Sequence, residues 1–198
     1  RVVSDSICMS SFKAAEQGDS FSQNDIGICY LNGYGVEKDS KKAVEWYTKS
    51  AEQGYAPAQY NLGGCYIDGD GTEQDYRQAI KWFSKAAEQG HIYAQHNLAV
   101  CYEYGNGVRK NYKKAFEWYS KAAEQGCGES QYKLGTFYEN GMGIKKDISM
   151  AIKYYEKAAE LGSEMAKERL DEIKHNAEQS EDKNEDSKPE PDFSDVPF

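Results

Sequence analysis

Small and apolar residues recur along this chain at the spacing of an α-helix, in short stretches separated by polar and glycine-rich ones. Two matching stretches hold Ala58, Leu62, Cys65 and Tyr66, and Ala94, Leu98, Cys101 and Tyr102. A second kind of stretch holds Ala43, Trp46, Tyr47 and Ala51. Because residues three and four positions apart share one face of a helix, both kinds predict amphipathic helices that alternate along the chain.

The helical pattern has a strict period. A Lys-(Ala/Ser)-Ala-Glu-(Gln/Leu)-Gly string ends at Gly54, Gly90, Gly126 and Gly162, each 36 residues after the one before. This period indicates a solenoid, in which each unit buries its apolar faces against the next. We expect a partial repeat over residues 1–18, four repeats over 19–162 (19–54, 55–90, 91–126 and 127–162), a capping helix over 163–176 and a disordered acidic tail over 177–198.

Turn and capping residues stand at fixed places in each repeat. A Gly-x-Gly element, such as Gly69 and Gly71, follows the first stretch, where glycine ends a helix in the left-handed conformation without steric cost. An Asp or Asn then precedes the second stretch and suits the N-cap of a second helix. These N-cap candidates are Asp39, Asp75, Asn111 and Asp147. Each repeat is therefore predicted to be helix, turn, helix.

These residues resemble the Sel-one-like repeat family, a relative of the tetratricopeptide repeats, over residues 7 to about 174. The second repeat matches the family pattern at Ala58, Leu62, Gly63, Tyr66, Gly69, Gly71, Asp75, Ala79, Trp82, Phe83, Lys85, Ala86, Ala87 and Gly90. Departures elsewhere are mild: Ala99 replaces a Gly, Thr72 a Val and Tyr154 a Trp. The resemblance implies an all-α, right-handed α/α superhelix that serves as an adaptor in multiprotein assemblies, and it implies no single partner.

The charge is negative and unevenly distributed. Of the net charge of -9, residues 178–198 contribute six, since they hold eight acids and two lysines. Neutralising phosphates needs a basic face, so we expect no direct contact with nucleic acid. No stretch approaches the roughly 18 consecutive apolar residues of a membrane span, so we expect no membrane insertion.

The start of the chain suggests truncation, because residue 1 is Arg and not Met, and because Ser10 and Ser11 stand where Trp46 and Tyr47 stand one repeat later. We expect a cytoplasmic monomer, and secretion stays open because of this N-terminus.

Three cysteines, Cys29, Cys65 and Cys101, share one position of the first helix. Equivalent positions in stacked repeats lie roughly 10 Å apart, whereas a disulfide needs Cα atoms within about 7 Å. We therefore expect reduced, buried thiols and a reducing compartment. Cys8 and Cys127 are unassigned; Cys127, at a helix start, is expected to be partly exposed, with a mildly activated thiol as the alternative.

Catalysis and cofactor binding find no support in the sequence. His91 and His96 are five residues apart, which does not place them on one helical face as a metal pair requires. None of the Gly-x-Gly elements precedes the Gly-Lys-Ser/Thr of a phosphate loop. We expect no catalytic residue, no metal and no cofactor.

Aromatic pairs recur in the second helices at Trp46 and Tyr47, Trp82 and Phe83, Trp118 and Tyr119, and Tyr154 and Tyr155. Packing between repeats explains them better than an aromatic ligand surface.

Binding specificity is expected where the repeat does not constrain residue identity, which is one face of the first helices. The candidate partner-binding residues, here called the variable stripe, are Asn24, Ile28, Tyr60, Asn61, His96, Asn97, Tyr132 and Lys133. In related solenoids this face lines the concave groove, where such a mixture of side chains can hold an extended peptide. An ordinary solvated face is the alternative.

The acidic tail ends in a short motif that resembles the C-terminal tip of bacterial single-stranded-DNA-binding proteins. Its residues are Asp192, Phe193, Asp195, Val196, Pro197 and Phe198. In that family the terminal Phe fills an apolar pocket on genome-maintenance enzymes, while its carboxylate and the upstream acids meet basic residues. A solubilising tail, or one that another repeat protein binds as a peptide, is the alternative.

The sequence thus predicts a non-enzymatic scaffold or adaptor that binds a partner protein or peptide on the concave face. The alternative function is an adaptor or competitor whose acidic Asp-Val-Pro-Phe tip docks on bacterial replication and repair enzymes.

Overall fold

The chain forms nine helices of stated bounds, preceded by a helical segment at residues 11–16, in a computed structural model that describes residues 11–185. They are α1 (Ser20–Asn32), α2 (Ser40–Glu52), α3 (Ala56–Asp68), α4 (Tyr76–Glu88), α5 (Ile92–Tyr104), α6 (Tyr112–Glu124), α7 (Gly128–Asn140), α8 (Ile148–Glu160) and α9 (Glu164–Glu185). Over this range there is no strand. Each helix packs on the next, which confirms the predicted all-α solenoid of helix pairs.

The second helix of each repeat begins at the predicted cap. Asp39, Asp75, Asn111 and Asp147 accept hydrogen bonds from backbone N–H groups of the first turn, at 3.0, 2.8, 3.0 and 3.0 Å. These bonds satisfy amides that have no partner within the helix, so each cap fixes where its helix starts.

The Gly-x-Gly elements are turns, as predicted. Their first glycines, such as Gly69 at φ 76°, end the first helices in the left-handed conformation. The second glycine lies against the preceding repeat: a Cβ on Gly71 would stand 2.1 Å from the carbonyl oxygen of Ser40. Close packing of backbone on backbone therefore explains this glycine.

The core consists of the second member of each aromatic pair, packed on a small residue of the first helix. Tyr47, Phe83, Tyr119 and Tyr155 are at most 1% exposed. A Cβ added to Gly63 would lie 2.6 Å from the ring of Phe83. Trp82 joins Leu62 of its own repeat and Tyr47 of the preceding repeat in one cluster, which confirms that these aromatics serve packing between repeats.

The capping helix is longer than predicted. α9 continues to Glu185, so the expectation that helical structure ends at residue 176 is wrong for residues 177–185. Composition accounts for this, because residues 177–185 hold three Glu and one each of Ala, Gln and Lys, all good helix formers, and the first proline after them is Pro189. The rest of the predicted disordered tail lies outside the described residues.

The cysteines differ from expectation at two positions. Cys65 and Cys101 are free and buried, as predicted, and burial raises the pKa of both thiols to about 11. Cys29, predicted to be reduced, is disulfide-bonded. Its partner lies outside the described residues, since the other three described cysteines are free. The distance argument considered only equivalent positions of stacked repeats and missed such a pair, so the inference of a reducing compartment loses part of its basis.

Cys127 is 5% exposed, so the prediction of a partly exposed cysteine is wrong. It stands at the N-cap of α7, with its Sγ 4.0 Å from Nδ1 of His96 and 3.5 Å from Oε2 of Glu129. These neighbours cover the thiol.

Candidate binding face on the first helices

The variable stripe lies on α1, α3, α5 and α7, the first helices of the four repeats. Asn24 is buried, and the other seven residues of the stripe are half-buried. A fully solvated face would leave such side chains exposed. Part of each side chain is therefore used in packing, and part stays accessible.

Hydrogen bonds link the stripe from one repeat to the next. Nδ2 of Asn61 donates to Oδ1 of Asn24 at 2.9 Å. One repeat later, Asn97 lies at the equivalent place beside the Tyr60 hydroxyl; burial raises the pKa of Tyr60, and Asn97 partly offsets that effect. In the following repeat, Nδ1 of His96 lies 2.8 Å from Oγ of Ser130. Hydrogen bonds between adjacent repeats thus hold Asn24, Asn61 and His96, whereas Ile28 packs against the apolar core.

Two carboxylates at the C-terminal end of this face, the buried Glu103 and the half-buried Glu139, each bind a tyrosine and a cation. Glu103 accepts from the Tyr119 hydroxyl at 2.6 Å and from Nζ of Lys133 at 3.1 Å. Burial alone would lower the pKa of Lys133, but its bonds to Tyr104 and Glu103 outweigh that effect and raise it. Lys133, which the sequence offered as a partner-binding cation, is therefore occupied by Glu103.

The same arrangement recurs one repeat later. Glu139 accepts from the Tyr155 hydroxyl at 2.7 Å and from the guanidinium of Arg169 in α9. The Arg169 bonds lower the pKa of Glu139, although its partial burial works in the opposite direction.

Sequence reasoning did not identify these two triads, although a signal was present. The tyrosine follows its glutamate by 16 residues and the cation follows it by 30, in both cases. In the first two repeats Leu31 and Ile67 occupy the glutamate position, and neither is followed by a cation 30 residues later.

The two histidines of the first helices have structural partners. His91 caps α5 through Nδ1, which accepts from the Ala94 amide at 3.3 Å, and its ring stacks on Tyr60 at 4.8 Å. Burial lowers the pKa of both His91 and His96, so both are neutral at pH 7. Between residues 11 and 185, no group of three or more His, Cys, Asp or Glu residues is placed to hold a metal ion.

The face can therefore offer amide, phenol and neutral imidazole groups with little net charge, since the carboxylates of Glu103 and Glu139 are paired with cations. Such a surface suits recognition by hydrogen bonds and aromatic contacts. The tail motif, Asp192 to Phe198, lies outside the described residues.

Stacked helix pairs with a hydrogen-bonded inner row define the class as an α/α repeat solenoid. The family model described as the Sel1 repeat matches four times, at residues 20–55, 56–91, 92–127 and 128–163. The chain belongs to the Sel1 repeat family, as the resemblance predicted, with repeat boundaries one residue later than those read from the sequence. Proteins of this family are generally protein-interaction scaffolds and are typically non-enzymatic.

Solved structures with this fold come from several bacteria. The chain is 40% identical to c5321, a protective antigen of uropathogenic Escherichia coli with an SLR fold (TM-score 0.79), over 80% of this chain and 34% of that one. It is 42% identical to a Sel1 repeat protein from Oxalobacter formigenes (TM-score 0.79), over 81% of this chain and 64% of that one. With the Helicobacter pylori cysteine rich protein B the identity is 31% (TM-score 0.54), over 67% of this chain and 96% of that one.

The chain thus spans about a third of the first of these proteins and less than two thirds of the second. Among curated proteins, none is significantly similar to it. In the part of the chain that the structure describes, no helix is long and apolar enough to cross a membrane.

Proposed function

We propose that this chain is a non-enzymatic adaptor that binds an extended segment of a partner protein on the variable stripe, along the concave side of the superhelix. The row of hydrogen bonds between repeats carries the proposal. Asn61 and His96 are each hydrogen-bonded to an adjacent repeat, and Asn97 lies beside the Tyr60 hydroxyl of the preceding repeat, so their polar groups are oriented before a partner arrives. Orientation of this kind reduces the entropy lost on binding.

The charges on this face indicate which kind of partner segment it can bind. Glu103 and Glu139 are neutralised by Lys133 and Arg169. Asp25 is half-buried at the other end, and desolvation raises the pKa of its carboxyl. Because the face has little free charge, we expect the partner segment to be held by backbone hydrogen bonds to the asparagines and by contact with Tyr60 and Tyr132.

Selection of peptides from a random library on the intact chain tests this proposal. Peptides that bind the stripe should lose affinity about tenfold or more with Asn97→Ala, since a hydrogen bond between neutral groups and the packing around it contribute about 1.4 kcal/mol or more. The matched control is Lys81→Ala on the exposed side of α4, which should leave affinity unchanged.

Circular dichroism should show that both variants keep the fold. If the selected peptides bind Asn97→Ala as tightly as the unchanged chain and instead lose affinity with Lys81→Ala, the binding face is on the second helices and the proposal is wrong.

A further inference from the structure

A buried glutamine occupies the same place in all four repeats. Gln23, Gln59, Gln95 and Gln131 are 3–7% exposed. In each, Nε2 donates to the carbonyl oxygen of the alanine eight residues earlier, at 3.1, 3.1, 3.1 and 2.7 Å. These bonds use the donor side of the amide and fix its orientation.

The acceptor side of this amide is satisfied by a second glutamine in the first three repeats. Gln53, Gln89 and Gln125 stand at the ends of the second helices, and their Nε2 atoms donate to Oε1 of the buried glutamine at 2.7, 2.8 and 2.8 Å. A primary amide is therefore the group that this position accepts.

The fourth repeat lacks that donor. Residue 161, 30 positions after Gln131, is Leu. As a result, among the side chains that the structure describes, Oε1 of Gln131 is the one buried nitrogen or oxygen that has no hydrogen-bond partner. A buried acceptor without a partner is costly, and native structures contain few of them.

An open cavity of about 490 Å³ lies at this place, between α6, α7 and α8. Gln131 and Leu161 both line it, and so does Tyr154, which stands where the other three repeats have Trp. Two departures of the fourth repeat from the other three, Leu161 for Gln and Tyr154 for Trp, thus line the same cavity. Phe116 and Leu134 contribute apolar wall, and Glu124 and Glu160 contribute further acceptors.

We propose that this cavity binds the side-chain amide of a glutamine on a partner polypeptide, which donates to Oε1 of Gln131 in the way that Gln53, Gln89 and Gln125 do within the chain. The apolar wall accommodates the methylene groups of the ligand. Leu161 also lines the cavity and is 54% exposed, so its side chain can move toward solvent at a cost below that of a buried leucine. No residue of the variable stripe lines the cavity, so this site is separate from the stripe, although α7 contributes to both.

The probe for the test is N-acetyl-glutamine-N-methylamide, titrated against the intact ¹⁵N-labelled chain while the side-chain NH₂ signals of Gln131 are followed by NMR. At the binding efficiency usual for ligands of this kind, a probe of this size has a Kd of about 1 mM. The corresponding glutamate and leucine derivatives are the matched probes, since both keep the backbone amides and lack the side-chain amide donor.

The expected result is saturable shifts with the glutamine probe, at least tenfold weaker binding of the two matched probes, and loss of binding in Leu161→Gln, where an internal donor restores the missing bond. Tyr154→Trp, which fills the cavity, should also weaken binding. Equal shifts with all three probes, unchanged binding in Leu161→Gln, or no shift with the glutamine probe well above its expected Kd would each overturn the proposal. None of these results bears on the variable stripe.

Discussion

The stability of this solenoid should increase when Leu161 is replaced by glutamine. In the first three repeats a glutamine at this position donates to the buried glutamine 30 residues earlier, at 2.7–2.8 Å. In the fourth repeat that acceptor, Oε1 of Gln131, is buried and has no partner. Leu161→Gln supplies the missing donor in a setting that three neighbouring repeats already show to be compatible with the fold.

The expected gain follows from two opposing contributions. Relief of a buried unsatisfied acceptor contributes about 1–3 kcal/mol. Leu161 is 54% exposed, so it keeps less than half of the burial energy of a leucine, or about 1 kcal/mol, and this is lost. The net change is a stabilisation of about 1 kcal/mol. Leu161→Ala, which removes the apolar contacts and supplies no donor, should instead destabilise the chain by about 1 kcal/mol.

Urea unfolding followed by circular dichroism measures both variants against the unchanged chain. The comparison requires equal m-values, because repeat arrays can depart from two-state unfolding. The difference in the free energy of unfolding between Leu161→Gln and Leu161→Ala measures the effect of the added donor and should be about 2 kcal/mol. A difference near zero would show that Oε1 of Gln131 does not need a donor, and the reasoning about this position would fail.

Four further results are expected. Gly63→Ala should lower the free energy of unfolding by about 1–3 kcal/mol in urea titration, because its Cβ would lie 2.6 Å from an aromatic ring; no loss would mean that the ring shifts freely. The Arg169 bonds lower the pKa of Glu139 from its usual value of 4.5, so the stability that the ionised carboxylate contributes is present above pH 4.5 and is lost as the pH falls through the lowered pKa. The difference in urea midpoint between the unchanged chain and Glu139→Gln should therefore shrink between about pH 7 and 3. A difference that stays constant would contradict this. Thiol titration of the denatured, unreduced chain should find the three free cysteines Cys65, Cys101 and Cys127, and five thiols after reduction; five before reduction would show that Cys29 is not oxidised. Removal of Phe198 should abolish capture of replication and repair enzymes if the tail motif docks on them, and an unchanged set of captured proteins would exclude that alternative.

The fold could be predicted because its determinants are local and repeated. The caps Asp39 and Asp75 and the turn glycine Gly69 act within a few residues of their own position. Four copies of each signal made the helix pairs and their period evident. The aromatic pairs were assigned to packing between repeats for the same reason, and the structure confirms it.

Contacts between distant positions were harder to predict. The Glu103–Lys133 pair and the Gln23–Gln53 pair both join residues 30 apart, which are not neighbours in any single helix. The length of one helix pair makes this spacing recur, so a search for complementary polar residues 30 apart would have found both. The disulfide of Cys29 falls outside this regularity, because no other repeat supplies an equivalent pair.

The fourth repeat holds most of the features that the common pattern does not explain. In the first three repeats the buried glutamine finds its hydrogen-bond donor within the chain, so it leaves no acceptor for a ligand to satisfy. Where Leu161 and Tyr154 depart from the pattern, an acceptor loses its partner and a cavity remains between repeats. Because scaffolding needs only the consensus, such paired departures are where recognition can be added to a solenoid without disturbing its stacking. The same reasoning applies to the variable stripe. There Asn97 and His96 each contact a residue of an adjacent repeat, while the polar group available for binding differs from one position to the next.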